Sequence, residues 1–233
     1  MIRDKGKRKR EESKLTELVE RIGEFIKAHA KIIIISVVSV IIVGVALGWF
    51  FYHRHQVKLE ASLEYSDFVD EYMKPRKAPE GSEGVELRDI SAMEKKYSLL
   101  DGKYNGTVYP AMALYFLGVA YFEEGEYKKA LESFEECHHR SDKELLTIVS
   151  LWGQADCYRA MGKLEEAVKI YNQTCEEHTG HPLIPGMLMQ MAKCYVKMDE
   201  TEKAVDTYSQ IAIEYPQSAF VEDAKELITY LGG

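Results

Sequence analysis

The sequence lacks the short motifs by which common catalytic sites are recognised. It has no phosphate-cradling glycine loop, no G-x-S-x-G nucleophile turn, no H-E-x-x-H zinc pair and no dinucleotide fingerprint. The acidic residues fall mainly where solvent faces of helices are expected, so no enzyme, cofactor or small-molecule substrate is expected. Basic charge is outnumbered beyond the N-terminal tail. Residues 1–31 hold ten Lys or Arg against six acidic residues, a tail at +4, so the −8 of the whole chain leaves −12 on residues 32–233. A domain that acidic is not a general binder of nucleic acid.

Long apolar runs are absent except for one. From Ile32 to Tyr52 there are 21 residues without a charge, rich in Ile and Val. As a helix that run is about 31 Å long, the hydrocarbon thickness of a bilayer. Trp49, Phe50, Phe51 and Tyr52 close it as an aromatic interface belt. A cleaved signal peptide would have a shorter apolar stretch and small residues after it. Here about thirty residues precede the run and aromatics end it, which reads as a retained signal anchor. Only Arg54 and Lys58 follow within twenty residues, against ten basic residues before, so the N-terminus is expected in the cytoplasm and the C-terminal domain outside it.

In the tail, Leu15, Leu18, Val19, Ile22, Phe25 and Ile26 recur at helical spacing between charged residues. Residues 13–29 can lie on the inner leaflet with Lys and Arg near lipid phosphates, or form a partner-binding helix. Gly44-x-x-x-Gly48 within the span can serve as a dimer seam or a contact with another membrane protein. After the belt, Val57 to Met73 carries apolar residues at helical intervals. Pro75, Pro79, Gly81 and Gly84 then mark a loop over 74–86, and a second helix is expected from Leu87 to Leu99. Asp101-Gly102 and Asn105-Gly106 indicate a turn before Tyr109-Pro110.

From there the sequence repeats itself. Leu117-Gly118-x-x-Tyr121, Gly125, Ala130 and Phe134 align with Gln154-Ala155-x-x-Tyr158, Gly162, Ala167 and Tyr171, and then with Met191-Ala192-x-x-Tyr195, Asp199, Ala204 and Tyr208. The small residues 118, 155 and 192 are each 37 apart. A small residue lets two antiparallel helices approach, and an aromatic three or four positions on fills the space beside it. This pattern resembles the tetratricopeptide repeat, whose period is about 34 residues. Two departures stand out: the longer period, and Leu114, Leu151 and Leu188 where that family usually has Trp.

The fold expected is all-α: one N-terminal transmembrane helix followed by a tetratricopeptide-type α-solenoid. Its parts are a basic, amphipathic tail at 1–31, the span at 32–52 and a divergent helical pair at 53–110. Repeats follow at 111–147, 148–184 and 185–217, with a cap helix at 218–233. The order of Gly48-Trp49, His55-Gln56-Val57, Ala61-Ser62-Leu63-Glu64-Tyr65 and terminal repeats resembles the YfgM-like family of bacterial envelope proteins. That resemblance implies an ancillary partner of the Sec translocon and of periplasmic chaperones, anchored in the cytoplasmic membrane. The rival is a structural component of an envelope machine, such as a flagellar or secretion-system collar. Homo-oligomers are compatible with either.

In stacked repeats the outward positions of first helices can meet a partner. Carried over from the family pattern, these are Tyr115, Val119 and Phe122, then Trp152, Asp156 and Arg159, then Met189, Lys193 and Lys197. The groove would be aromatic at one end and basic at the other, unless the preceding helix pair covers Tyr115, Val119 and Phe122. Cys137, Cys157, Cys175 and Cys194 leave three readings open. They are buried thiols, or two disulfides (137 to 157, 175 to 194) stapling neighbouring helices, or, for Cys137 and Cys175, a metal site with His138, His139, His178 and His181.

Overall fold

The computed structural model describes residues 2–77 and 87–232; the side chains of residues 2–15, Phe25, Ile26 and Ile33 are outside that description. Residues 78–86, most of the expected 74–86 loop, therefore lie outside the described residues, as do the Leu15, Phe25 and Ile26 positions of the amphipathic stripe. All regular elements among the described residues are helices. The chain divides into two compact units, Met1–Val57 and Lys58–Gly233.

Helix α1 runs over Ile2–Met73, with non-helical dihedrals at His29 (φ −112°, ψ 15°). In the first unit this helix is long and apolar enough to cross a membrane, and the apolar side chains of the run are exposed along its length. Ser36 and Ser39 donate back to the carbonyls of Ile32 and Ile35, so their hydroxyls are satisfied within the helix. That is a requirement for any polar group placed in hydrocarbon.

The second unit begins with the last turns of α1, where Ala61 and Phe68 are fully buried. Helix α2 spans Ile90–Tyr104, not Leu87–Leu99. Asp89 caps it, accepting from the Ser91 N–H at 2.9 Å. The helix continues through Asp101-Gly102 because Leu100 and Tyr104 bury against the rest of the unit. Burial of two large side chains outweighs the roughly 1 kcal/mol cost of one helical glycine. The turn falls instead at Asn105–Val108, with the Thr107 N–H donating to the Tyr104 carbonyl.

Three helical hairpins follow: α3 (Tyr109–Glu123) with α4 (Tyr127–Arg140), α5 (Glu144–Ala160) with α6 (Leu164–Glu177), and α7 (Ile184–Lys197) with α8 (Thr201–Glu214). Helix α9 (Val221–Gly232) ends the stack. Each helix packs on its chain neighbour from α2 onward, and α3 also touches α5. Stacking of consecutive hairpins of this kind builds a solenoid.

One turn is used three times. Gly125, Gly162 and Asp199 have φ of 81°, 78° and 60°, in the left-handed region, and stand in the 37-residue register. The following N–H of Glu126, Lys163 and Glu200 reaches back 2.9 Å to the carbonyl of Tyr121, Tyr158 and Tyr195. This is the Schellman closure, which satisfies carbonyls left open at a helix end. Lys129, Lys163 and Lys203 lie over those same three rings, at 5.3, 5.7 and 5.5 Å. Behind the turns, Ala130, Ala167 and Ala204 are fully buried, with Phe134, Tyr171 and Tyr208 beside them.

Candidate functional site

Between the first helices α3 and α5 lies a cleft of about 350 Å³. Tyr115, Val119 and Phe122 line it from α3, and Val149, Trp152, Gly153 and Asp156 from α5. Phe134 forms its base and Leu183 closes one side. The walls exist because glycines let aromatic rings approach backbone. A Cβ on Gly118 or Gly153 would fall 2.9 or 2.7 Å from the Phe134 ring, closer than any side chain tolerates. Phe134 is thus held between two helices that carry no side chain at that point. A Cβ on Gly186 of α7 would meet the Trp152 indole at 2.5 Å, so Trp152 rests on α7 while its exposed edge lines the cleft.

Asp156 is the one charged lining residue. Its Oδ1 accepts from the Tyr171 hydroxyl at 2.7 Å, from Arg159 Nη2 at 2.9 Å and from Arg159 Nε at 3.1 Å. Burial, then the Asp156 charge, pushes the Tyr171 hydroxyl well above its ordinary value, so it stays a donor. Burial lowers the pKa of Arg159, but Asp156 outweighs this and the guanidinium is raised overall. Tyr115, half-buried against Phe116 and Phe134, is raised by burial and then by Tyr72, Cys137 and Asp156, so it too is a neutral phenol.

Of the nine groove positions read from the sequence, five meet in this cleft: Tyr115, Val119, Phe122, Trp152 and Asp156. The three α3 residues are half-buried and keep a face on the cleft. Tyr72 of α1 meets Phe116, with ring centroids 4.8 Å apart and the planes tilted by 52°. Arg159 is outside the cleft, turned into its pair with Asp156. Met189 corrects the expectation of an exposed groove residue, since it is 3 % exposed and packed in the core of the last repeats, reaching the surface only in the wall of a second hollow. Lys193 and Lys197 are exposed on α7.

Beside Gly186 opens a second hollow of about 520 Å³, lined by Met189 and Lys193 on one side and by Phe220, Asp223, Glu226 and Tyr230 on the other. Of the basic end expected from Lys193 and Lys197, Lys193 therefore shares a hollow with carboxylates of α9, and Lys197 does not line it. Sequence reasoning missed the contribution of α9 because it lies outside the 37-residue register. It also passed over Gly153 and Gly186, although a glycine inside a helical pattern is itself a signal of close packing.

The four cysteines are free and buried. Burial pushes the thiols of Cys137, Cys157 and Cys175 up to about 12 and raises Cys194 as well. Of the three readings left open by the sequence, the structure has the buried thiols, and neither the 137–157 nor the 175–194 disulfide is formed. Among the described residues no group of three His, Cys, Asp or Glu is placed to hold a metal ion.

Two family models described as "Tetratricopeptide repeat" match the chain, over residues 109–176 and 187–218. No curated protein matches it. Among solved structures it is similar to PcrH from Pseudomonas aeruginosa, at 16 % identity over 53 % of this chain and 92 % of that one, with a TM-score of 0.45. It is also similar to the type III secretion chaperone SycD of Yersinia enterocolitica, solved with a peptide of the translocator YopD. That match has 17 % identity over 51 % of this chain and 86 % of that one, with a TM-score of 0.41. Neither score reaches 0.5, and neither likeness bears on function. Residues 109–176 and 187–218 of this chain are tetratricopeptide repeats, a protein-interaction module, stacked as an α-solenoid.

Proposed function

We propose that this chain is a membrane-anchored protein-binding scaffold. Its apolar run, Ile32 to Tyr52, crosses the cytoplasmic membrane once, with the basic tail in the cytoplasm and the repeats on the outer face. The observation that carries the binding role is the open, aromatic-walled cleft of about 350 Å³ on rigid repeat helices. Large aromatics held on a rigid frame supply contact area with little ordering cost, and Trp and Tyr are over-represented among residues that dominate interfaces. The retained span and the ten-to-two excess of basic residues before it support the orientation. The resemblance in motif order to YfgM-like proteins supports the finer reading, in which the partners are Sec translocon subunits, periplasmic chaperones or exported chains.

Co-purification of the full chain in mild detergent tests this reading, with Trp152→Ala as the control. Translocon or chaperone subunits recovered with the parent and depleted with the variant are the expected result. Recovery of a stoichiometric ring of this chain with other envelope repeat proteins, unchanged by Trp152→Ala, would replace the reading with that of a structural collar. A phosphatase fused after Gly233 should be active; an inactive fusion with a fluorescent cytoplasmic reporter would remove the outer-face placement.

A further inference from the structure

The two hollows beside Gly186 share one wall. A Cβ on Gly186 would lie 2.5 Å from the Trp152 ring and 3.4 Å from the Phe220 ring, so both rings stand beside that glycine, Trp152 lining one hollow and Phe220 the other. In the first hollow the polar anchor is Asp156. All three of its internal hydrogen bonds end on Oδ1, which leaves Oδ2 with acceptor capacity in a cleft lined by no other charged side chain. In the second, Asp223 and Glu226 stand beside exposed Tyr230, with the single cation Lys193 across from them. Glu222, the other acidic residue of that turn, is already paired with Lys225 at 2.9 Å; Asp223 and Glu226 have no ion-pair partner among the described residues. The first hollow thus combines apolar walls with a carboxylate whose charge is balanced by Arg159 but whose second oxygen can still accept, and the second combines apolar walls with two carboxylates against one lysine, on a part of the chain that carries −12 in all.

We propose that both hollows are filled by one extended segment of a partner protein in which bulky apolar residues are interspersed with lysine or arginine. This rests on the protein-binding reading above and specifies its ligand. Apolar side chains of such a segment leave water on either side of the Trp152–Phe220 ridge. Its cations meet Asp156, Asp223 and Glu226, which have acceptor capacity to spare. An acidic segment with the same apolar residues would place carboxylate against carboxylate, which costs affinity and slows encounter.

Three fluorescein-labelled heptapeptide amides test this, with leucine and phenylalanine at odd positions and lysine, glutamine or glutamate at even ones. Each is titrated by fluorescence polarisation against the full chain in nanodiscs of zwitterionic lipid, with empty nanodiscs as the blank. The lysine peptide should bind at least about fivefold more tightly than the glutamine peptide, and the glutamate peptide most weakly, with the lysine advantage shrinking as salt is raised. Glu226→Gln and Asp156→Asn should each reduce that advantage. Asp156 also holds Arg159 and Tyr171, so the exposed Glu226 is the variant that keeps the test valid if Asp156→Asn unfolds. Equal binding of the three peptides, or tightest binding of the glutamate form, overturns the cationic ligand while leaving the groove reading intact, provided Trp152→Ala still weakens all three. Binding of none of them, or binding indifferent to Trp152→Ala, overturns the groove reading itself.

Discussion

Replacing Gly153 with alanine should destabilise the repeat unit, although alanine is normally the better helix former. The new Cβ would fall 2.7 Å from three atoms of the Phe134 ring. The ring cannot retreat, because it is 2 % exposed and already 2.9 Å from the Cβ position of Gly118 on the other side. Overpacking of this kind costs about 1–3 kcal/mol. The gain in helix propensity from Gly to Ala is about 1 kcal/mol, so the net loss is about 0–2 kcal/mol. In a Phe134→Leu background the obstructing ring is gone, and Gly153→Ala should then stabilise by about 1 kcal/mol. The sign of one substitution therefore depends on the other, with a coupling of about 1–3 kcal/mol. Urea unfolding of the four proteins of this cycle, followed by circular dichroism at 222 nm, measures it. For a unit of roughly 175 residues, Lys58–Gly233, each kcal/mol corresponds to a melting shift of about 2–4 °C. Equal stabilisation by Gly153→Ala in both backgrounds would refute the packing of Phe134 between α3 and α5.

Three further outcomes follow from the same geometry. Ala167→Leu and Ala204→Leu, at fully buried contacts between helices, should each cost about 1–3 kcal/mol; an unchanged melting temperature for both would mean that the 37-residue register is misplaced. The four thiols should resist a thiol reagent at pH 8 in the folded protein, because burial raises all four and a pKa near 12 at Cys137, Cys157 and Cys175 leaves about one thiolate in ten thousand there, and all four should react on denaturation without reductant; fewer than four would reveal a disulfide. Glu71 is buried and takes Lys74 at 3.1 Å, Lys96 at 3.4 Å and the Asp89 N–H. Burial raises its pKa, but these partners outweigh burial and leave it below the ordinary 4.5. Its contribution is therefore present above the unfolded value and lost as pH falls through the folded one. Glu71→Gln should flatten the loss of stability below about pH 5; an identical acid slope would remove Glu71 as its source.

The repeat stack was legible in the sequence because its packing rules leave marks at fixed spacing. Gly118, Ala155 and Ala192 mark close helix contacts, and Gly125, Gly162 and Asp199 recur in the same register, although their left-handed backbone shows only in the structure. The end of α2 was not legible. Asp101-Gly102 has the composition of a turn, and only the burial of Leu100 and Tyr104, a tertiary effect, carries the helix through it. In the candidate site, five cleft residues were readable as outward positions of first helices. Met189 stands at an equivalent register yet is buried, because the repeat there is flanked by α9. Phe220, Asp223, Glu226 and Tyr230 left no mark, since a terminal helix obeys no repeat.

The central claim, that proteins dock in the cleft between α3 and α5, is tested most directly by site-specific photocrosslinking in cells. A photoreactive amino acid is placed at Val119, inside the cleft, and separately at Ile213, an exposed residue of α8 that lines neither hollow. A discrete protein adduct from position 119, absent from position 213 and lost on adding Trp152→Ala, is the predicted result. Adducts from position 213 alone, or adducts from 119 that persist without Trp152, would contradict the claim.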